Sequence, residues 1–278
     1  MPEIEPADTS LKSLTGLHLW HAPMSSCSQR VRIVLTEAGR EYESHLVNLE
    51  KDEHASAAYQ AIHPKGLVPA LVDDGRLIIE SIDIIRHLAT EELAAPDEDA
   101  ADLLAMADAA QQDLKLLTFE FLFRAAPPPP TEAAEAFQNN HQNSWLRQFR
   151  LDFAKGFDAE RIEGAIARTA ERFDVLDARL CDGRPYLSGN LFSLSDIAWM
   201  PNVHRFRLMG WPFERTPHLQ SWFDRISTRQ SYRDGLLAWQ NAQVIASFKD
   251  YTRLRQKQQT DIRSSTCLCG ASTGNSGH

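Results

Sequence analysis

Residues 63–83, His-Pro-Lys-Gly-Leu-Val-Pro-Ala-Leu-Val-Asp-Asp-Gly-Arg-Leu-Ile-Ile-Glu-Ser-Ile-Asp, compress a turn, two short apolar strands, a tight hairpin and a helix start into one block. Pro69 falls inside the first strand. Lacking an N–H, it belongs at an edge, a bulge or a cis bond and not at a central paired position. That placement predicts that Val68, immediately before it, turns its backbone N–H and C=O outward. Asp74-Gly75 supplies the positive φ angles of a type I′ turn, which closes the hairpin. Glu80-Ser81 then enters a helix, so a carboxylate, a hydroxyl and the unsatisfied N–H groups of a helix N-terminus meet at one point. This combination suits a small zwitterion or peptide carrying both an ammonium and a carboxylate.

Short strands and helices alternate around the block: strand 17–20, helix 28–39, strand 42–48 and a polar helical stretch to 61. The alternation predicts an α/β domain with a mixed sheet over residues 15–93, with residues 1–15 as a loose leader. Gly39 stands where a helix C-terminus favours glycine. Pro96-Asp-Glu-Asp reads as an acidic linker. Beyond it an all-helical domain is expected over 100–248, with helices at 101–124, 133–153, 159–180, 221–226 and 236–246. The run Pro127–Pro130 breaks the first of these from the second. Ile162, Ile166, Phe173, Leu176 and Leu180 recur at helical spacing. Ser193-Leu-Ser-Asp196 reads as a reciprocal cap opening a buried helix. From 249 to 278 the composition turns polar, which predicts a flexible tail.

A net charge of −9 argues against a nucleic-acid partner, which would need a basic face. No apolar run reaches membrane-spanning length, so no membrane partner is expected. The acidic N-terminus lacks the basic and apolar regions of a signal peptide. Cys27, Cys181, Cys267 and Cys269 form no disulfide framework, and a reducing cytoplasm fits best. Cys267-x-Cys269 has no second His or Cys pair at matching spacing, so no metal is expected.

Ser25-Ser26-Cys27 lies where a strand end meets a helix N-terminus, the place at which unsatisfied N–H groups and partial positive charge gather. The residues alone leave Ser25 two roles: capping the helix, or donating a hydrogen bond to a bound thiolate. A free thiol titrates near ~8.5, and each tenfold gain in thiolate represents ~1.4 kcal/mol of preferential stabilisation. Cys27 is either a nucleophile or a buried, inert helix residue. Arg30 and Arg32 on the same helix either flank a cavity or are solvated or ion-paired at the surface. Phe119-Glu-Phe-Leu-Phe123 and the series Trp145, Phe149, Phe153, Phe157, spaced by four on one helix face, line an apolar pocket or pack an ordinary core. Asn139, Asn140, His141, Gln142 and Asn143 are candidates for polar contacts beside them.

Val68-Pro69-Ala70-Leu71 followed by Glu80-Ser81 and a helix is similar to the glutathione-binding half of the thioredoxin-like domain of cytosolic glutathione S-transferases. Residues 20–35 resemble the first strand and helix of that domain, and the core Ser-Ser-Cys-x-x-Arg-Val-Arg-Ile resembles the zeta class. Residues 186–196 resemble the family's helix-capping motif. The resemblance implies an N-terminal thioredoxin-like domain with mixed sheet, an all-helical C-terminal domain, and glutathione as cosubstrate without metal. It implies Ser25 as the catalytic group with Ser26 in support. Lys51 or His54 would take the glycine carboxylate, Val68 and Pro69 the backbone pairing, and Glu80 with Ser81 the γ-glutamyl end. Phe119, Phe123, Asn143, Trp145 and Phe149 would hold a small hydrophobic aromatic substrate. Leu67 departs from the pattern, since many relatives carry Gln or Lys there. Relatives are usually two-fold dimers, so a homodimer is expected, with a heterodimer of paralogues left open. The Pro127–Pro130 excursion, the aromatic helices and the long C-terminus resemble bacterial glutathione-dependent etherases that cleave β-aryl ethers of lignin. The alternatives are a zeta-type maleylacetoacetate isomerase and a non-catalytic glutathione-binding or partner subunit.

Overall fold

The computed structural model describes residues 5–94 and 99–269; the expected linker at Pro96 and residues 270–278 lie outside them. In chain order the elements are β1 (Leu17–His21), α1 (Ser26–Glu37), β2 (Glu43–Leu46), α2 (Ala57–Ile62), β3 (Ala70–Asp73), β4 (Arg76–Ile79) and α3 (Ser81–Leu88). These are followed by α4 (Ala100–Phe121), α5 (Thr131–Asn140), α6 (Ser144–Lys155), α7 (Ala159–Leu180), α8 (Leu194–Leu208) and α9 (Pro217–Ile226). The last are α10 (Gln230–Gly235), α11 (Ala242–Lys257) and α12 (Thr266–Cys269). The fold class is the expected one: a mixed sheet with helices first, helices alone afterwards. Among the described residues no helix is long and apolar enough to cross a membrane.

The chain divides into two compact units, and their borders differ from the expected ones. The first takes in the described residues up to Ala94 together with Pro128–Ala154 and Arg229–Gln240. Its sheet runs β2-β1-β3-β4, with β1 and β2 parallel and the other pairs antiparallel. Leu11, Ala70, Val72, Leu77 and Ile79 form one buried cluster, joined by Leu14, Trp20 and Ile62. Leu11 corrects the expectation of a loose leader. It sits in a 3-10 turn, Thr9–Ser13, capped by the Asp8 carboxylate, which accepts from Ser10 N at 3.0 Å.

The later segments join this unit for identifiable reasons. Arg229 makes a two-point ion pair with Glu37, both bonds at 2.7 Å. The α10 backbone also comes against α1 so closely that a Cβ on Gly235 would lie 2.8 Å from Ile33 N. The helix expected over 133–153 is two helices, because residues 141–143 are held elsewhere. His141 is buried with its Nε2 3.3 Å from Gly66 O, and Asn143 Oδ1 accepts from Leu146 N at 3.2 Å. Gln60 completes the attachment, donating to Asn140 O at 2.9 Å and accepting from Gln142 N at 2.8 Å. These bonds assign the polar residues 140–143 to anchoring a loop.

The second unit comprises residues 99–127, Lys155–Thr228 and 241–269. Here α4 packs on α7 and α8. Ile166, Phe173, Leu176 and Leu180 are buried along α7 as their spacing predicts, while Ile162 is half-buried. The cap expected at Ser193 is present. Buried Asp196 accepts from Ser193 N at 2.9 Å, Leu187 N at 2.9 Å and Trp222 Nε1 at 2.7 Å, so one carboxylate joins three segments. The helix expected over 236–246 is broken where Asn241 caps α11 through bonds from Gln243 N and Val244 N. The tail expected from 249 is helical to Lys257 and again at Thr266–Cys269, because Ile262 and Leu268 are buried and Glu163 accepts from Ser265 and Thr266.

Two substitutions test these attachments. Gly235→Ala forces a methyl onto the α1 backbone and should cost about 1–3 kcal/mol in denaturant melts. Asp196→Ala strands three buried N–H donors, each worth roughly 1–3 kcal/mol, and should destabilise more severely.

Candidate active site

The site grows from the C-terminal end of β1. The chain leaves the sheet at His21, passes Ala22 and Pro23, and enters α1 with Ser25 as N-cap, where Ser25 Oγ accepts from Ser28 N at 3.2 Å. Accepting that bond leaves the Ser25 hydroxyl proton available to donate. Capping and donation to a thiolate are therefore compatible roles. Ser28, buried, accepts from Ala22 N at 3.2 Å and closes the loop on itself. Ser26 and Cys27 are half-buried in the first turn of α1.

Arg32 holds this loop from behind. Its guanidinium donates to Ala22 O (3.2 Å), Pro23 O (2.9 Å), Gly235 O (2.8 Å) and His21 Nδ1 (2.9 Å), and lies 4.9 Å from the Trp239 ring centroid. Because Arg32 only donates, His21 Nδ1 must be the bare nitrogen, and His21 Nε2–H donates to Ser44 Oγ at 2.8 Å. Burial, and then the nearby Arg32, push the His21 pKa down to about 3. Burial lowers Arg32 itself to about 10, still a cation at neutral pH. Of the two places left open for Arg30 and Arg32, the solvated or surface ion-paired one is excluded: both are fully buried.

Arg30 connects α1 to a second helix N-terminus. Its guanidinium donates to Ser81 Oγ at 3.1 Å, at the first residue of α3. Ahead of α3, Asp74 and Gly75 take positive φ of 48° and 80°, closing the β3–β4 hairpin as expected. Glu80 also has positive φ, 68°, which turns the chain into α3. The Val68-Pro69 bond is cis, Tyr59 donates to Leu67 O at 2.6 Å, and no hydrogen bond joins the Val68 backbone to the described residues. In the first unit the N-termini of α1 and α3, each with a serine hydroxyl, are thus linked through the Arg30–Ser81 contact.

Other expected site residues are placed differently. Lys51 lies in an exposed turn, its N–H donating to Asn48. His54 is buried, its ring 5.7 Å from Phe137 and 5.4 Å from His141. Glu80 is paired with Lys65 at 2.5 Å, both partly exposed, which places a second cation near the start of α3 besides Arg30. Phe119 and Phe123 stack edge-on at 5.0 Å in the second unit, whereas Asn143, Trp145 and Phe149 belong to the first. Trp145 is 42% exposed and stacks on buried Phe149 at 5.2 Å. Phe157 lies beyond the end of α6, against Arg124 and Arg161, so the spacing by four does not continue that far.

Residues 24–91 match the family model for the glutathione S-transferase N-terminal domain, and residues 159–225 that for the C-terminal domain. Glutathione S-transferase Z2 of Arabidopsis thaliana is 30% identical over 233 residues, covering 81% of this chain and 90% of the plant protein. The chain belongs to the glutathione S-transferase superfamily. A further relative of this transferase-family chain, the tetrachloro-p-hydroquinone reductive dehalogenase of Sphingobium chlorophenolicum, is 25% identical over 232 residues, 77% of this chain and 93% of that one. Among solved structures, the beta-etherase LigF from Sphingobium sp. strain SYK-6 aligns with a TM-score of 0.69 over 80% of this chain and 98% of its own, at 23% identity, a likeness of fold.

Sequence reasoning about this superfamily member missed Lys65, although it lies inside the 63–83 block, and missed the Arg30–Ser81 contact. The signal for Lys65 was its neighbourhood to the same turn as Val68; for Arg30 no local signal existed.

His21, His63 and His204 are buried and held neutral, at about 3, about 4 and about 3, by burial first. Below their ordinary value near 6.5 the unfolded chain takes up protons that the native state refuses, so stability falls as pH drops toward these values. Each histidine should remove about 2 kcal/mol by about pH 5. Thermal melts from neutral pH downward should show Tm falling from about pH 6.5, and a flat profile to about pH 5 would contradict the neutral assignments.

Proposed function

We propose that this chain is a glutathione-dependent transferase in which Ser25 stabilises the glutathione thiolate for attack on an aromatic electrophile, with cleavage of a β-aryl ether as its reaction. The observation that carries the reading is Ser25 itself: a hydroxyl at the N-terminus of α1 whose oxygen is engaged by Ser28 N and whose proton is left to donate. The α1 N-terminus adds partial positive charge at the same place. Ser26, half-buried in the next position, supports it.

The second N-terminus suits the γ-glutamyl end of glutathione. The Ser81 hydroxyl and the first N–H groups of α3, with the Arg30 guanidinium behind them, favour a carboxylate. Glu80 receives the ammonium; its bond to exposed Lys65 is a surface ion pair of the kind worth only about 0–1 kcal/mol, and yields readily. The Val68 backbone, next to Pro69, pairs with the cysteinyl backbone. Lys65, in place of Lys51 or His54, supplies a cation for the glycine carboxylate.

Trp145 is the candidate contact for the aromatic substrate in the first unit, with Phe149 stacked against it and Asn143 fixing the start of α6. The thiolate attacks the β-carbon and forms a C–S bond as that carbon's bond to the aryloxy oxygen breaks, and the electron pair departs on the phenolate, which takes a proton from water. The relative named for a chlorinated hydroquinone and the fold likeness to a beta-etherase support an aromatic substrate. A second reading, zeta-type maleylacetoacetate isomerisation, is favoured by the Ser25-Ser26-Cys27 pattern. As with relatives, a two-fold dimer in the cytoplasm is the working assembly.

The test is a Ser25→Ala variant assayed with a β-aryl ether and, separately, with a maleylacetoacetate analogue. Turnover should fall by roughly 10²-fold, the scale of losing one preorganised donor, while glutathione affinity stays within about twofold. Ser81→Ala should instead weaken glutathione binding about tenfold, ~1.4 kcal/mol. Undiminished turnover in Ser25→Ala would remove its catalytic role; loss of neither substrate's turnover because neither reacts would favour a non-catalytic glutathione-binding subunit.

A further inference from the structure

We propose that His18, His45 and Glu43 form a binding site for a divalent transition-metal ion, with Zn²⁺ as the fitting occupant, across the neighbouring strands β1 and β2. β1 and β2 run parallel with His18 opposite Glu43 and Trp20 opposite His45. Alternation along a strand puts residues 18 and 20, and residues 43 and 45, on one face, so both imidazoles and the carboxylate share it. β2 is an edge strand, and Glu43 is exposed there while His18 is buried and His45 half-buried.

The donor atoms converge. His18 Nδ1 lies 3.1 Å from His45 Nε2 and 3.6 Å from Glu43 Oε2, and His45 Nε2 lies 3.9 Å from Glu43 Oε1. One ligand atom from each residue falls within 4.8 Å of the other two. Tetrahedral zinc with bonds of about 2.0–2.1 Å separates its ligand atoms by roughly 3.3 Å. The three side chains therefore reach a coordinating geometry by moving a few tenths of an ångström, and the exposed carboxylate is the one free to move.

The rings are also oriented as ligands. His18 Nε2 lies 3.1 Å from Thr15 O, and a carbonyl can only accept, so Nε2 carries the proton and the Nδ1 lone pair points into the cluster. A histidine whose second nitrogen donates to a carbonyl is the usual arrangement around a bound metal. The His45 ring lies flat on Trp20, centroids 4.3 Å apart at 12°, which fixes its plane. With no ion bound, His45 Nε2–H can donate to His18 Nδ1; an ion replaces that proton. Two imidazoles and one carboxylate suit zinc, copper or nickel, and not magnesium or calcium, which take oxygen ligands. Three protein ligands leave a fourth position for water. Bound there, the ion ties the edge strand to β1, on the sheet face opposite His21 and Arg32.

The test uses the full chain carrying Cys267→Ser and Cys269→Ser, so that those thiols cannot compete, stripped with a chelator and titrated calorimetrically with Zn²⁺. Co²⁺ loading provides a visible spectrum of the coordination sphere. The expected result is one ion per chain, four-coordinate cobalt bands, a Tm raised by Zn²⁺ and unmoved by Mg²⁺, and at least about tenfold weaker binding in both His45→Ala and Glu43→Gln. Glu43→Gln changes an exposed side chain and keeps the fold testable if His45→Ala does not. Absence of saturable Zn²⁺ binding, or unchanged affinity and cobalt spectrum in the Glu43→Gln variant, would overturn the site. Neither result depends on the glutathione reading.

Discussion

A buried guanidinium organises the first unit. Arg32 carries its charge where almost no water reaches it, a placement tolerated only when each of its nitrogens finds an acceptor. It finds them in the carbonyls of Ala22, Pro23 and Gly235 and in His21 Nδ1. Those four acceptors belong to the end of β1, the loop before α1 and the end of α10. One side chain thus fixes where β1 stops, where Ser25 begins α1, and how a segment some two hundred positions later attaches. The Gly235 carbonyl can come this close only because that residue has no Cβ to meet the α1 backbone. Arg229 and Glu37 repeat the attachment at the other end of α1.

From that constraint the candidate site follows. With Ala22 and Pro23 held by Arg32, the Ser25 cap is preorganised before any ligand arrives, which is the condition under which a single hydroxyl donor has a large effect. Arg30, one turn into the same helix, reaches Ser81 and so sets the second helix N-terminus relative to the first within this unit. Two N-termini presenting hydroxyls and unsatisfied N–H groups are a natural host for a ligand with both a thiol and a free α-amino acid end. That is the cosubstrate of the superfamily to which the chain belongs.

Much of this arrangement was legible in the residues. The hairpin at Asp74-Gly75, the cap at Ser193–Asp196 and the Ser25 cap of α1 all rest on local chemistry and stand where that chemistry puts them, although α1 begins two residues before the expected 28. What periodicity could not convey is long-range attachment. The polar run 138–144 interrupts the apolar spacing through 133–153 and hinted at a break, but nothing local shows that His141 is drawn under Gly66. Arg32 reads as an exposed helix residue because arginine seldom lies buried; its partners are spread from His21 to Gly235. Polar composition after 249 suggested a loose tail, but Ile262 and Leu268 are enough to seat it. Asn241, by contrast, is an ordinary N-cap residue ahead of a helical run, and the break there was readable. The His18–Glu43–His45 cluster needed the β1–β2 register, which no spacing within either strand supplies.

The central claim is that the N-terminus of α1 holds a thiol in its thiolate form. Titrating the ultraviolet thiolate absorbance of bound glutathione against pH measures this directly. The account predicts an apparent thiol pKa at least one pH unit, ~1.4 kcal/mol, below the free value near ~8.5, returning toward that value in Ser25→Ala. A bound thiol that titrates like the free one in the unaltered chain would contradict it.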